Sequence, residues 1–258
     1  MAHSTSYRRI LHRMGYYNYQ QGLIFHHLDE EGSWNNHLKN CRNFIIKGID
    51  YFRPSKVTVL GSGWLLDLPL KEMTDIVTEV NLVDIIHPPE VKEQVAGMNK
   101  VILREEDISG GLINDVWQKA GYRTFLNKLR SPDDIPVNEY QPGFETGMVI
   151  SLNILTQLEN LPLEFLRKRS LKNEESFLRF RTRVQSEHIS FLKKHESVLI
   201  TDVSEVITAK SGNVTVNPSM LAALPEAKLR EDWTWDFDLK RSDFYSKKSV
   251  FRVSAMLL

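Results

Sequence analysis

The sequence lacks several features that would each point to a particular class of protein. It has a single cysteine, Cys41, among 258 residues, which rules out a disulfide within the chain and argues against a cysteine-based zinc site. Lys plus Arg equals Asp plus Glu at 33 each, so no overall basic field favours nucleic acid. No apolar run is long enough for a membrane span, and no apolar segment follows the charged N-terminus. We expect a cytoplasmic protein that binds no metal and no membrane.

The chain is large enough for one full α/β core with an appendage, since 41% of its 258 residues are apolar. Residues 57–60 read as a buried parallel strand, and Gly61 and Gly63 follow as a tight turn at which the backbone can approach a ligand. A second strand, residues 80–84, ends on Asp84, 21 residues after Gly63. Nucleotide-binding βαβ units place a carboxylate for the ribose at about this spacing. These elements predict a ligand of the adenosine type.

The residues of the glycine turn restrict which adenosine ligand is expected. A dinucleotide fingerprint requires a third small residue where this chain has Leu66, so binding of NAD or FAD is disfavoured. The Gly61-Ser62-Gly63 turn, the acid at the end of the second strand and the acidic end of a third strand near Asp107 together resemble the class I S-adenosylmethionine-dependent methyltransferases. The resemblance covers residues 56–258. It implies S-adenosyl-L-methionine as the cofactor.

The resemblance also implies roles for individual residues. The turn, Ser62 included, would lie against the methionine part of the cofactor, Asp84 would bind the ribose and Asp107 the adenine, with Glu105 as the reserve for Asp107. The predicted cofactor site further includes the residues that follow the two acids, Ile85 and Ile108.

Two positions depart from the family pattern. The acid often found two residues before the first glycine is Val59 here, and the usual third glycine is Leu65. Asp67 either replaces the missing acid near the cofactor amino group or only favours the start of the next helix.

Residues 1–53 are predicted to form an N-terminal helical cap, and residues 54–258 the methyltransferase domain. Leu38, Cys41 and Ile45 fall at helical spacing. Trp34 and His37 are three residues apart, hence on one helical face. In one interpretation Trp34 is a packing anchor and His37 a surface or capping residue. In the other, this face closes over the cofactor and touches the substrate.

A fourth strand, residues 147–152, is followed by Asn153, and in the resembled family this strand end borders the methyl group to be transferred. We expect Asn153 in the pocket. Gln157 lies four residues further on and would share a face with Asn153 if the chain continued as a helix. It is either a second substrate contact or a solvent-facing residue. His87 precedes two prolines and is expected in a loop.

The last sixty residues give the strongest indication of the fold. A fifth strand begins near residue 197, a hairpin turn is predicted at residues 210–214, and residues 233–240 and 249–257 read as two further strands. Two closing strands after five βα units resemble the antiparallel C-terminal hairpin of methyltransferases. The predicted fold is therefore α/β and Rossmann-like, with a seven-stranded, mostly parallel sheet. Between the third and fourth strands, an amphipathic helix around residues 113–126 and a turn-rich insertion are expected.

Nine Lys or Arg against three Glu give residues 167–194 a local excess of positive charge. This segment is either an RNA- or phosphate-binding patch or the solvated face of a helix whose inner face holds Phe177, Phe180 and Val184. His188 is a candidate base or a buried neighbour of Val184.

The predicted activity is methyl transfer from S-adenosylmethionine to an acceptor, with a small molecule favoured over RNA. No catalytic residue and no oligomeric state is predicted. Two rival functions remain: a non-catalytic scaffold, and an NAD(P)-dependent oxidoreductase, which Leu66 and the C-terminal hairpin disfavour.

Overall fold

The computed structural model describes residues 4–121, 129, 131–168, 173–241 and 246–258. The strands are β1 Lys56–Leu60, β2 Glu79–Asp84, β3 Val101–Glu105, β4 Met148–Leu152, β5 Ser197–Thr208, β6 Val214–Pro218, β7 Leu229–Asp238 and β8 Lys248–Leu257. The helices are α1 Thr5–Met14, α2 Tyr16–Asp29, α3 Asn35–Phe52, α4 Leu70–Ile76, α5 Pro89–Gln94, α6 Leu112–Gly121, α7 Asn160–Arg167 and α8 Glu174–Leu192.

All the strands belong to one sheet, ordered β3-β2-β1-β4-β5-β8-β7. Strands β1 to β5 run parallel, whereas β8 is antiparallel to β5 and to β7. The predicted fold class is confirmed: the fold is α/β and Rossmann-like, with a mostly parallel sheet and an antiparallel C-terminal hairpin. Among the described residues the sheet has eight strands rather than seven, because the chain after β5 turns back through Gly212 and forms β6, which pairs with the far half of β5.

Successive side chains of the central strands point to opposite faces of the sheet, so the core is divided into two layers. Val57 and Val59 of β1 pack with the apolar face of α3, which holds Leu38, Cys41 and Ile45 as predicted. Leu60 lies in the other layer. The boundary between cap and main domain at residue 53 stays a prediction, since α3 shares its core with β1.

The second layer packs around α8. Phe177, Phe180 and Val184 form its buried face, as the sequence predicts. His188 is buried on the same helix, 2.8 Å from Ser151 Oγ of β4. Burial lowers the pKa of His188 to about 4, so this ring is neutral and belongs to the core.

One local prediction is corrected. The chain after β4 forms turns before α7, so Asn153 and Gln157 do not lie on a helix. Helix α6 is described to Gly121, and the predicted continuation over residues 122–126 lies outside the described residues. None of the described helices has the length and apolar character needed to cross a membrane.

Candidate functional site

The glycine turn after β1 packs tightly against the end of β4. Gly61 has φ +80°, and a Cβ atom there would lie 2.6 Å from Ile154 Cβ and 2.9 Å from the Leu152 carbonyl oxygen. Gly63 also has a positive φ, +48°. The turn therefore needs glycine at position 61 both for its backbone conformation and for its contacts.

Leu65 takes the backbone conformation of the glycine that it replaces. Its φ of +61° lies in the left-handed region that favours glycine, and its side chain is buried. The departure from the family pattern is thus accommodated by the backbone, with the leucine side chain packed in the core around β1 and α3.

Asp84 lies directly beside the glycine turn. Its carboxylate accepts hydrogen bonds from the backbone N–H of Gly63 at 2.8 Å and of Ile85 at 2.7 Å. The side-chain amide of Gln20 donates to the same group at 3.3 Å. Because Asp84 is only 5% exposed, burial raises its pKa to about 6, and the N–H donors oppose that rise. The carboxylate at the end of β2 is thereby fixed over the turn.

Ser62 and His87 connect the turn to the loop after β2. Ser62 Oγ lies 3.1 Å from His87 Nε2, and both side chains are buried. Burial lowers the pKa of His87 to about 4. His87 is a loop residue, as predicted, but its neutral ring faces the glycine turn.

A hydrogen-bonded cluster connects α3 to the end of β4. Asn153 Nδ2 lies 2.8 Å from Asp67 Oδ2 and 3.1 Å from His37 Nε2. Cys41 Sγ is 3.5 Å from the same His37 nitrogen, and the Trp233 indole N–H donates to His37 Nδ1 at 3.0 Å. Burial lowers the pKa of His37 to about 3 and raises that of Asp67 to about 6. The expectation of a surface position for His37 is wrong, since the ring is 1% exposed.

The contacts of this cluster fit hydrogen bonding better than metal binding. His37, Cys41 and Asp67 hold ligand atoms within 4.8 Å of one another, yet the Asn153 amide lies among them. A metal-bound histidine normally donates its second ring N–H to an acceptor. Here the second nitrogen, Nδ1, receives the N–H of Trp233, so a metal on Nε2 would require a ring without a proton.

Most of the predicted site residues line one cavity of about 80 Å³. The members predicted from the sequence are Trp34, His37, Gly61, Ser62, Gly63, Asp67, Asp84, Asn153 and Gln157. Gln157 donates to the Asn153 carbonyl oxygen at 2.6 Å and accepts from the Tyr19 hydroxyl at 3.3 Å. Trp34 donates to the Phe237 carbonyl oxygen at 2.9 Å and stacks on the Phe237 ring, as a packing anchor would.

Three residues that line this cavity each hold a buried side-chain polar atom without a hydrogen-bond partner among the residues that the structure describes. The atoms are Gln20 Oε1, Asn153 Oδ1 and Trp235 Nε1. Buried polar groups in folded proteins are nearly always paired. The occurrence of three such atoms on residues of one cavity favours a polar ligand there.

A larger cavity of about 430 Å³ adjoins the first and shares Gln20 and Trp64 with it. The Trp64 indole N–H donates to the Gln20 carbonyl oxygen at 2.9 Å, so these two residues separate the cavities. Ile86, His87 and Glu105 line the larger one. The 80 Å³ cavity alone falls below the ~300–1,000 Å³ of ligand pockets, whereas the two cavities joined fall within that range.

Asp107 lies apart from these two cavities. Its carboxylate accepts from the Ser109 backbone N–H at 3.0 Å and from the Tyr7 hydroxyl at 3.1 Å, and burial raises its pKa. It lines a third cavity, of about 680 Å³, which shares Glu105 with the 430 Å³ cavity. Ile108 is buried in the core, and Ile85 packs against that core. Glu105 and Asp107 are the two acids considered for binding the adenine. Glu105 lies nearer than Asp107 to Asp84, the residue predicted to bind the ribose.

Sequence reasoning missed the contribution of Gln20 and Trp235. Trp235 belongs to the alternating pattern of β7, which marked it only as an inward-facing apolar residue. No local pattern singles out Gln20, which is 64 residues from Asp84.

The basic segment is largely neutralised within the described part of the chain. Arg179 pairs with Asp133 at 2.6 Å, Arg181 with Glu159 at 3.1 Å, and Arg167 with Glu174 at 3.0 Å. Lys194 pairs with Glu139 at 2.7 Å. Arg169 and Lys172 lie outside the described residues. The described basic side chains thus serve mainly in ion pairs, which weakens the RNA interpretation.

Comparison with known proteins gives structural similarity only. No protein-family model and no curated protein matches the sequence. The chain is similar to Burkholderia thailandensis 1,6-didemethyltoxoflavin-N1-methyltransferase with bound S-adenosylhomocysteine, at 9% identity and TM-score 0.40, covering 100% of this chain and 92% of that one. It is also similar to DhpI in complex with SAH, at 10% identity and TM-score 0.31, covering 96% of each chain.

A third similar structure is the methyltransferase domain of a bacterial Hen1, at 10% identity and TM-score 0.33, covering 85% of this chain and 99% of that one. All three scores are low. We therefore base the function on the strand order and the site of this chain.

Proposed function

We propose that the protein is an S-adenosylmethionine-dependent methyltransferase. The hydrogen bond from the Gly63 backbone to the Asp84 carboxylate carries this proposal, because it joins the glycine turn and the second-strand acid in one cavity. Those are the two elements that place the methionine and ribose parts of the cofactor in the resembled family.

The charge of the cavity supports a sulfonium cofactor over a dinucleotide. The described residues that line it include two carboxyl groups, Asp67 and Asp84, and no Lys or Arg. Such a lining attracts a cation and repels a diphosphate. Dinucleotide sites also place the pyrophosphate at a helix N-terminus directly after the glycine turn, whereas α4 begins only at Leu70. An NAD-dependent oxidoreductase is therefore the weaker reading.

The residues of the site would hold and orient the cofactor. Gly61 and Gly63 provide close backbone approach, Asp84 accepts hydrogen bonds, and Asn153 offers a buried amide oxygen without a described partner. S-adenosylmethionine supplies a methyl group already activated by its positive sulfur. The protein then needs mainly to orient the acceptor and exclude water, which agrees with the absence of a nucleophilic triad among the lining residues.

We favour a small, uncharged acceptor. The cavity lining includes aromatic and apolar side chains, with Leu23, Trp34 and Trp235 among them. Of the two substrates considered, RNA is less favoured, because Arg179 and Arg181 of α8 are engaged in ion pairs.

The test is calorimetric titration of the protein with S-adenosylmethionine, S-adenosylhomocysteine and NAD. We expect binding of the first two and none of NAD, with the binding lost in Asp84→Ala and retained in Asp50→Ala, a change at an exposed position on α3. Detection of S-adenosylhomocysteine formed in the presence of candidate acceptors then tests turnover. If the folded wild-type protein binds neither S-adenosylmethionine nor S-adenosylhomocysteine, that result would contradict the proposal and favour a non-catalytic scaffold.

A further inference from the structure

Trp235 forms part of the wall of the 80 Å³ cavity. Its ring stacks on His37 with centroids 4.0 Å apart and planes 5° from parallel, and meets Trp34 edge-on at 4.9 Å. The side chain is 7% exposed. These contacts hold the indole rigidly in the wall of the cavity.

The indole N–H of Trp235 differs from those of the neighbouring tryptophans. Trp34 donates to the Phe237 carbonyl oxygen, Trp233 to His37, and Trp64 to the Gln20 carbonyl oxygen, each at 2.9 or 3.0 Å. Trp235 Nε1 is buried and has no partner among the residues that the structure describes. An indole nitrogen can only donate, and an unpaired buried donor costs free energy. Because Trp235 lines the cavity, a ligand bound there would be a source of the missing acceptor.

The proposed cofactor carries one group that the rest of this cavity is poorly suited to bind. Its methionine end bears an α-carboxylate, whereas the lining offers two carboxyl groups and, among its described residues, no Lys or Arg. A carboxylate in such a place needs neutral N–H donors. The backbone N–H of Gly63 is already bonded to Asp84.

We propose that the Trp235 indole N–H binds the α-carboxylate of the cofactor and thereby selects ligands that keep the amino-acid end. This assignment rests on the proposed function. It makes Trp235 a specificity-determining residue of the cofactor site, placed there by the C-terminal hairpin.

The experiment compares two ligands and two matched variants by calorimetry. S-adenosylhomocysteine has the carboxylate, and 5′-methylthioadenosine lacks the whole amino-acid end. In Trp235→Phe, which removes the N–H and keeps an aromatic ring, we expect about tenfold weaker binding of S-adenosylhomocysteine, the loss typical of a hydrogen bond to a charged group, and unchanged binding of 5′-methylthioadenosine. Trp117→Phe, a change on α6 outside the cavity lining, should alter neither.

An equal loss of affinity for both ligands in Trp235→Phe, or no loss, overturns the assignment of Trp235. The proposed function still stands in that case if the wild type binds S-adenosylhomocysteine. Failure of the wild type to bind either ligand overturns both.

Should Trp235→Phe not fold, the wild type provides a second test. Among the indole N–H resonances of its five tryptophans, that of Trp235 should move downfield with S-adenosylhomocysteine and stay in place with 5′-methylthioadenosine. The same movement with both ligands, or with neither, contradicts the assignment.

Discussion

The side-chain amide of Gln20 donates a hydrogen bond to Oδ1 of Asp84 at 3.3 Å. A residue of α2 is thus bonded to the carboxylate that is proposed to bind the ribose. Helix α2 has no buried residue, and Phe25 and Leu28 on it are 56% and 63% exposed. A helix with so little buried surface is held weakly. The proposed cofactor would have to displace this contact in order to bind Asp84.

Replacing Gln20 should strengthen cofactor binding. In Gln20→Ala the competing hydrogen bond is gone, and because one such bond is worth about 1 kcal/mol, we expect S-adenosylhomocysteine to bind roughly fivefold more tightly. Calorimetric titration measures the change. Asn18→Ala, at an exposed position on the same helix, should leave the affinity unchanged. Weaker binding in Gln20→Ala would instead show that Gln20 contacts the ligand.

Gly61→Ala should destabilise the fold strongly. The new Cβ would lie 2.6 Å from Ile154 Cβ in a backbone with φ +80°, and strain plus overlap together should cost more than about 3 kcal/mol. Gly97→Ala is the matched control, because Gly97 has φ +86° and nothing within 4 Å of an added Cβ. It should cost only about 1 kcal/mol. Urea unfolding of the two variants measures the difference, and equal losses would show that the packing at position 61 is unimportant.

Asp84 should make stability depend on pH in an identifiable direction. Its folded-state pKa of about 6 lies above the ordinary value near 3.9, so the folded protein binds more protons than the unfolded chain between these values. The contribution of Asp84 to stability therefore falls as pH rises from about 4 to about 6, by about 3 kcal/mol in all, and is constant above that window.

The variant Asp84→Asn lacks this titration. Relative to wild type, its free energy of unfolding should rise by that amount over the same pH window and then stay level, as followed by urea unfolding at several pH values. Asp50→Asn, at an exposed position, provides the control. A stability difference between Asp84→Asn and wild type that does not change with pH would contradict the raised pKa.

Arg181 and Arg179 should differ sharply although they lie two residues apart on α8. Arg181 pairs with Glu159, whose side chain is fully buried, whereas Arg179 pairs with acids on the surface. Burial already raises the pKa of Glu159 to about 7, and removing its cation leaves a buried acid unpaired. We expect Arg181→Met to cost about 3 kcal/mol and Arg179→Met less than about 1 kcal/mol, as measured by chemical unfolding. Similar costs would mean that the buried pair is not stabilising.

Local sequence patterns were sufficient for the core of the fold. The alternation of β7, the run from Lys56 to Leu60 and the acid at position 84 each depend on residues near one another in the chain, so the strands and the strand-end carboxylate were predictable. His37 carries a signal that the sequence analysis did not use to decide between its two interpretations: it lies one turn before Cys41, on the helical face that carries the buried residues of α3.

The rest of the site depends on contacts between distant segments. Gln20 reaches Asp84 only because α2 crosses the carboxyl end of the sheet, and the Trp233 indole reaches His37 across 196 residues of sequence. Neither contact leaves a periodic pattern. Leu65 illustrates a further limit, because a leucine in a glycine conformation is stabilised by its packing, which composition alone does not reveal.

The single cysteine is a natural probe of local opening around the candidate site. Cys41 is fully buried beside the cavity, and burial raises its pKa well above the ordinary value. A thiol reagent can therefore modify it only when the surrounding helices open. The labelling rate of this one thiol thus measures how often the closed site becomes accessible, and its slowing by a bound ligand would report occupancy without any added label.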